Sequence, residues 1–220
     1  RLDDIVSLGA LATHATIAND AIIAGAVPAL GTLCSSIANA RVRTSGTIGG
    51  NLCFAEPRAD PPVLLAALDA QLVLKSARGE HHISASQFII GALETLRAPD
   101  ELLLRIEIPV TACDIRYERV VFGHRTIAGA AAAIPKDPAN KPRIWVGCIA
   151  THPTSLPTTE RYISANPDSL DDGLVHAIAT DIGTLDIVSD EDASADYRRH
   201  LAETVTRRAI TAAADKKGTP

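Results

Sequence analysis

The sequence predicts a globular chain that mixes helices with antiparallel strands, and three observations carry that expectation. Residues 102–109, Leu-Leu-Leu-Arg-Ile-Glu-Ile-Pro, have the branched composition of a strand. Behind Pro28, apolar Leu30, Leu33, Cys34, Ile37 and Ala38 recur at helical spacing. Further on, strand-like stretches at 115–122, 128–134 and 143–150 precede helical ones near 158–164, 170–181 and 194–214. Pro135-Lys136-Asp137-Pro138 turns the second of these strands into the third, as in an antiparallel meander.

Composition fits this class. With 46% hydrophobic and 21% charged residues, a chain of 220 can bury a good core in one large unit or two small ones. Aromatics make up only 3%, so Ala, Ile, Leu and Val must fill that core. The formal net charge of −5 argues against nucleic-acid binding, which normally shows a basic patch. No apolar run reaches 18 residues, which argues against a membrane span, and no signal-peptide pattern opens the chain. Cys34, Cys53, Cys113 and Cys148 form no Cys-x-x-Cys, so neither an iron–sulfur cluster nor a structural zinc is expected. Buried free thiols in a reducing cytoplasm suit them better. The first residue is Arg1 rather than Met, which suggests a fragment.

Taken in order, residues 5–11 read as a strand, and His14 as a solvated or locally bonded side chain. Asn19 or Asp20 can cap a short helix from Ala21, and Asn39 looks like the stop of the helix opened by Pro28. Residues 41–43 read as an extended basic connector. Asp60-Pro61 starts a helix with an acid at its positive end, and Val63, Leu64, Leu65, Ala67 and Leu68 give it an apolar face. Strands at 71–76 and 81–83 pair across the turn 77–80. His81 and His82, adjacent on a strand, point to opposite faces and cannot share a metal ion. Ser84 or Ser86 caps a short helix through Phe88-Ile89-Ile90. Residues 111–114 mark a boundary between units at 1–112 and 113–216, and 217–220 is expected to be a disordered tail. The charges of Tyr197-Arg198-Arg199-His200-Leu201 read as a solvated helix face, with a subunit contact as the sharper alternative.

The densest signal is Arg43-Thr44-Ser45-Gly46-Thr47-Ile48-Gly49-Gly50-Asn51-Leu52. Three glycines within five positions permit φ > 0 and a close approach to the main chain. Consecutive amides in such a turn can converge on an anion, and Thr47 and Asn51 add a hydroxyl and an amide. No Lys follows, and the spacing is not Gly-x-Gly-x-x-Gly, so neither a nucleoside-triphosphate loop nor a Rossmann fingerprint is read. Taken alone, the segment is a structural turn. The longer pattern runs Thr47-Ile48-Gly49-Gly50-Asn51-Leu52-Cys53, Ala55-Glu56-Pro57, Asp60-Pro61 and Ala66-Ala67-Leu68-Asp69-Ala70. It closely resembles the FAD-binding subunit of the molybdenum hydroxylases, the family of aerobic carbon monoxide dehydrogenase and xanthine dehydrogenase. The likeness extends over most of the chain, through the 102–109 strand to the segment from Tyr197 to Leu201.

The resemblance implies an α+β fold: a FAD-binding domain of the vanillyl-alcohol-oxidase (PCMH) type, here partial, followed by a C-terminal α+β domain like that of carbon monoxide dehydrogenase flavoproteins. It implies FAD as cofactor, with Thr47, Ile48, Gly49, Gly50 and Asn51 at the pyrophosphate, Asp60 at the adenosine and Leu103 against the flavin. It implies no catalytic side chain and no metal ligand. Its partners would be a molybdenum-cofactor large subunit and a [2Fe–2S] small subunit, with electrons leaving through FAD to an outside acceptor. Two departures stand out. Family members begin with a lobe carrying another glycine-rich loop, so half of the pyrophosphate cradle is expected upstream of Arg1. Around 117–125 the family carries a Lys near the flavin and an Asp soon after the Arg that matches Arg125. Here Val120 and Val121 stand near the Lys position and Ala128 at the Asp position, with Arg119 the nearest substitute. Two other functions are compatible with the residues: a cell-wall reductase on the same flavin fold, and a flavin-free assembly module.

Overall fold

The computed structural model describes residues 4–167 and 169–215, so the expected tail at 217–220 lies outside the described residues. Strand β1 (Ile5–Gly9) is followed by six short helices: α1 (His14–Ala18), α2 (Ala21–Ala26), α3 (Pro28–Ser35), α4 (Ala40–Ser45), α5 (Ile48–Phe54) and α6 (Asp60–Ala67). Next come β2 (Gln71–Ser76), β3 (Gly79–Ser84), α7 (Ala85–Phe88), the small hairpin β4 (Ile89–Gly91) and β5 (Glu94–Thr95), and β6 (Leu102–Pro109). The C-terminal part holds β7 (Cys113–Phe122), β8 (Arg125–Pro135), β9 (Arg143–Gly147), β10 (Thr154–Ser155), α8 (Pro157–Ala165), α9 (Asp172–Gly183) and α10 (Ala195–Ala214). This is an α+β chain.

Local chemistry explains most boundaries. Asp20 caps α2 by accepting from the amides of Ile22 and Ile23, Pro28 opens α3, Ser84 caps α7 and Ser194 caps α10. Two readings need correction. Asn39 does not stop the preceding helix, which ends at Ser35; its side chain accepts from Val42 N at 3.2 Å and caps α4. Residues 41–43 are therefore helical, not an extended connector. Val42 and Thr44 lower helix propensity, but the cap, and the bonds from Arg43 to the carbonyls of Ile37 and Ala38, fix the turn.

The strands form two four-stranded antiparallel sheets, β1-β6-β2-β3 and β10-β9-β8-β7. Each has a tight hairpin with a left-handed glycine, Gly79 at φ 125° and Gly123 at φ 61°. The first core gathers Val6, Leu30, Ile48, Val63, Leu64, Leu72, Phe88 and Ile106 between the first sheet and the short helices. The second gathers Ile144, Val146, Ile178, Ile182, Val205 and Ile210 beneath α8–α10. Strand β8 serves both: Ala131 belongs to the first core, Ala128, Ala130 and Ala132 to the second. The second sheet is thus an inner layer, with α6 on one face and α10 on the other. Trp145 on β9 also packs against the first core.

Candidate functional site

The glycine segment is built as the first turn of a helix. Thr47, extended at φ −106° and ψ 156°, caps α5, its hydroxyl accepting from Gly50 N at 3.0 Å. Ile48 N donates to Ala12 O at 3.0 Å and Gly49 N to Ala10 O at 2.9 Å, so the loop after β1 fastens the segment in place. A Thr13–Thr47 bridge lies alongside. The sequence suggests left-handed glycines and a row of converging amides, and both expectations need correcting. Gly49 and Gly50 are helical, and the first three amides of α5 bond acceptors of the chain itself.

The reason for glycine is closeness instead. A Cβ on Gly49 would stand 2.6 Å from Ala10 Cβ and 2.7 Å from Ala10 O, and one on Gly46 would stand 2.8 Å from Val42 O. Gly50 differs. It is exposed, and an added Cβ would meet only the Thr47 hydroxyl, at 2.9 Å. The outer surface of the helix start is therefore bare main chain. Beside it, Asn51 Oδ1 is buried without a hydrogen-bond partner, one of four such side-chain atoms among the described residues. A buried acceptor left unpaired is costly and calls for an explanation. Helix α5 packs against both α6 and β6, the strand that carries half-buried Leu103.

Under the segment lies His14, which is buried rather than solvated. Its amide donates to Gly46 O at 3.0 Å and its Nδ1 faces Cys34 Sγ at 3.9 Å. Burial lowers the imidazole's pKa and raises the Cys34 thiol to about 12, so both are neutral near pH 7. The strand pair His81 and His82 turns outward to separate carboxylates, Glu101 at 3.5 Å and Glu107 at 3.2 Å.

Asp60 is not a helix cap. It occupies the first position of α6, no side chain caps that helix, and its carboxylate is bonded by side chains of β7. Tyr117 Oη donates to Asp60 Oδ1 at 2.6 Å, and Arg119 Nη1 donates to Oδ2. Arg119 Nη2 reaches on to Ser36 O at 2.6 Å, in the turn ahead of α4. Tyr117 and Arg119 share a face of β7, and their partners across the ladder are the smallest residues, Ala131 and Gly129. A Cβ on Gly129 would collide with the Tyr117 hydroxyl. Cys148, left-handed at φ 64°, points its thiol at Ala59 O and Asp60 Oδ1, 3.7 and 3.9 Å away. Burial, reinforced by the Asp60 carboxylate, pushes both the Tyr117 phenol and the Cys148 thiol well up, so both stay protonated and act as donors.

Sequence reasoning misses this cluster, and Arg198 with it. Arg198 is not on a solvated helix face but fully buried. Its Nη1 donates to the carbonyls of Ile127 and Cys148 at 2.9 and 3.0 Å, and its Nη2 lies 2.7 Å from both carboxylate oxygens of Asp190. Asp190 also lies 3.6 Å from Arg58, which in turn bonds Asp192. The available signal was small residues opposite large polar ones on β7 and β8.

Comparison with known proteins agrees with this architecture. The family described as "FAD binding domain in molybdopterin dehydrogenase" matches residues 1–111. The caffeine dehydrogenase subunit beta of Pseudomonas sp. strain CBB1 is 31% identical over 224 residues, covering 97% of this chain and 75% of that one. The glyceraldehyde dehydrogenase medium chain of Sulfolobus acidocaldarius is 31% identical over 209 residues, covering 93% and 74%. Among solved structures, quinoline 2-oxidoreductase from Pseudomonas putida 86 superposes with a TM-score of 0.90 at 28% identity, over 97% of this chain and 76% of that chain. These matches favour neither the cell-wall reductase nor the flavin-free module. The chain belongs to the FAD-binding subunits of the molybdenum hydroxylases, an oxidoreductase family with FAD as its cofactor.

Proposed function

We propose that this chain is the flavin relay of a three-component hydroxylase. A molybdenum-cofactor large subunit oxidises the substrate, a [2Fe–2S] small subunit carries the electrons on, and this chain hands them to an outside acceptor in the cytoplasm. Residues 1–112 are the second lobe of the FAD-binding domain, 113–216 the C-terminal domain and 217–220 a tail. Bound FAD supplies the electron-carrier chemistry, and the protein binds, orients and insulates it. No side chain is given a catalytic role.

The observation that carries this reading is the unpartnered Asn51 Oδ1 beside the bare main chain at Gly50. The residues fit the group: a buried acceptor needs a donor, and a hydroxyl-rich dinucleotide has several. In this reading Thr47, Ile48, Gly49 and Gly50 border the pyrophosphate, and Asn51 Oδ1 accepts from a dinucleotide hydroxyl beside it. Ile48 and Gly49, whose amides are already bonded, shape the wall. Gly50 and Thr47 offer an amide and a hydroxyl that can exchange their mutual bond for one to the ligand. Asp60 faces the adenosine and Leu103 the flavin ring. The test is Gly50→Val in the complete subunit. Bound flavin per chain should fall at least tenfold, on the order expected when one charge-assisted contact is lost, while the far-UV circular dichroism stays unchanged. Full flavin occupancy in this variant would refute the assignment.

A further inference from the structure

The connection between α5 and α6, residues 55–59, and Asp60 at the start of α6 are gripped by groups that belong to the C-terminal unit. Arg58 pairs with Asp192 and lies 3.6 Å from Asp190. Ala59 O faces the Cys148 thiol at 3.7 Å. Asp60 Oδ1 accepts from Tyr117 at 2.6 Å with the Cys148 thiol 3.9 Å away, and Oδ2 accepts from Arg119. Arg119 then spans to Ser36 O at 2.6 Å, holding the turn from which α4 runs to Gly46 and Thr47. One guanidinium therefore contacts both approaches to the glycine helix.

We infer that Tyr117 and Arg119 are positioning residues for FAD, acting through Asp60; this rests on the proposed function, in which Asp60 faces the adenosine. A carboxylate offers about four lone-pair sites. Tyr117 and, at longer range, the Cys148 thiol face Oδ1, and Arg119 occupies one site on Oδ2, which leaves a site on Oδ2 for a ligand hydroxyl. A carboxylate held by two fixed donors has no rotamer freedom left to lose when the ligand binds, so affinity rises by preorganisation. Gly129 keeps the space that the Tyr117 hydroxyl needs to reach it.

The experiment titrates FAD into the deflavinated complete subunit and follows quenching of flavin fluorescence. Binding by the wild type and its loss in Gly50→Val test the underlying reading; if either fails, that reading is wrong. Given both, Tyr117→Phe should weaken FAD about 10-fold and Arg119→Gln roughly 10- to 100-fold, the scale of a hydrogen bond to a charged group. Arg119→Lys should recover part of the loss. In an Asp60→Asn background, Arg119→Gln should weaken FAD no further. A clasp with a purely structural role would lower the urea midpoint and leave the Kd of folded protein unchanged. Wild-type Kd in folded Arg119→Gln, wild-type Kd in Asp60→Asn, or losses that multiply in the double variant would each overturn the proposal. If Arg119→Gln does not fold, Tyr117→Phe decides alone, and an unchanged Kd there overturns it.

Discussion

Asp60 shows how far a single side chain can depart from its local reading. An acid at the first helical turn has an obvious partner in the helix dipole, and as a cap it would be replaceable by Asn at little cost. The structure gives it two side-chain partners from β7 instead. Asp60→Asn should therefore destabilise the fold by about 3 kcal/mol in a urea titration, because Arg119 loses its counter-charge in a largely buried site. A loss under 1 kcal/mol would return Asp60 to the role of a local helix acid. His14 makes a second prediction at this scale. Its pKa is lowered by burial, so below about 6.5 the unfolded chain takes up a proton that the folded chain resists. Stability from this group is complete above the ordinary imidazole value of 6.5 and declines as pH falls beneath it. Between pH 7.5 and 5.5 the urea midpoint of wild type should fall more steeply than that of His14→Gln. Parallel slopes would show that His14 titrates as it would in water. Neither role was readable from neighbours in sequence, because the groups that matter lie in other elements.

Helix α5 is the element whose identity was legible while its geometry was not. The run Thr47 to Asn51 stands out in sequence, yet glycines advertise turns, and here they are packed into a helix. What decided the matter was the loop after β1, whose carbonyls collect the first amides of α5 and press Ala10 against Gly49. The two glycines should accordingly respond differently. Gly49→Ala meets a backbone atom at 2.7 Å and should destabilise by about 1–3 kcal/mol, as overpacking does. Gly50→Ala meets only a hydroxyl that can turn aside, and alanine's better helix propensity offsets the crowding, so the melting temperature should stay nearly constant. Equal effects at both positions would contradict this account of α5. Long strands such as β6, and helices with side-chain caps such as α2, were legible because their signals are local. Helix α4 was not, since its Val and Thr residues look extended until Asn39 is seen to cap it.

For the whole molecule, the sequence conveyed the order of strands and helices but not that the second sheet would be sandwiched. Small residues on β8 look featureless in a linear pattern, and only the folded chain shows them dividing two cores. One consequence can be measured. Trp145 belongs to the second sheet but packs against the first core, and it is the only tryptophan in the sequence. Its fluorescence and the far-UV circular dichroism should report one coincident unfolding transition. Two separated midpoints would mean that the two cores melt independently.

The alanine run of β8 also has a mechanical meaning. Ala130 and Ala132 turn toward the α10 side and Ala131 toward the α6 side, so each face carries only a methyl group. There is no cushion of rotatable atoms between the helices. Their spacing is set by main chain, which does not relax by changing rotamer. Pressure on α10 would move β8 as a plate and deliver the displacement to α6, where Val63 already sits too close to Gly147 to admit a Cβ. The outermost helix and the helix that begins at Asp60 lean on one thin partition, and a push on one side is felt on the other.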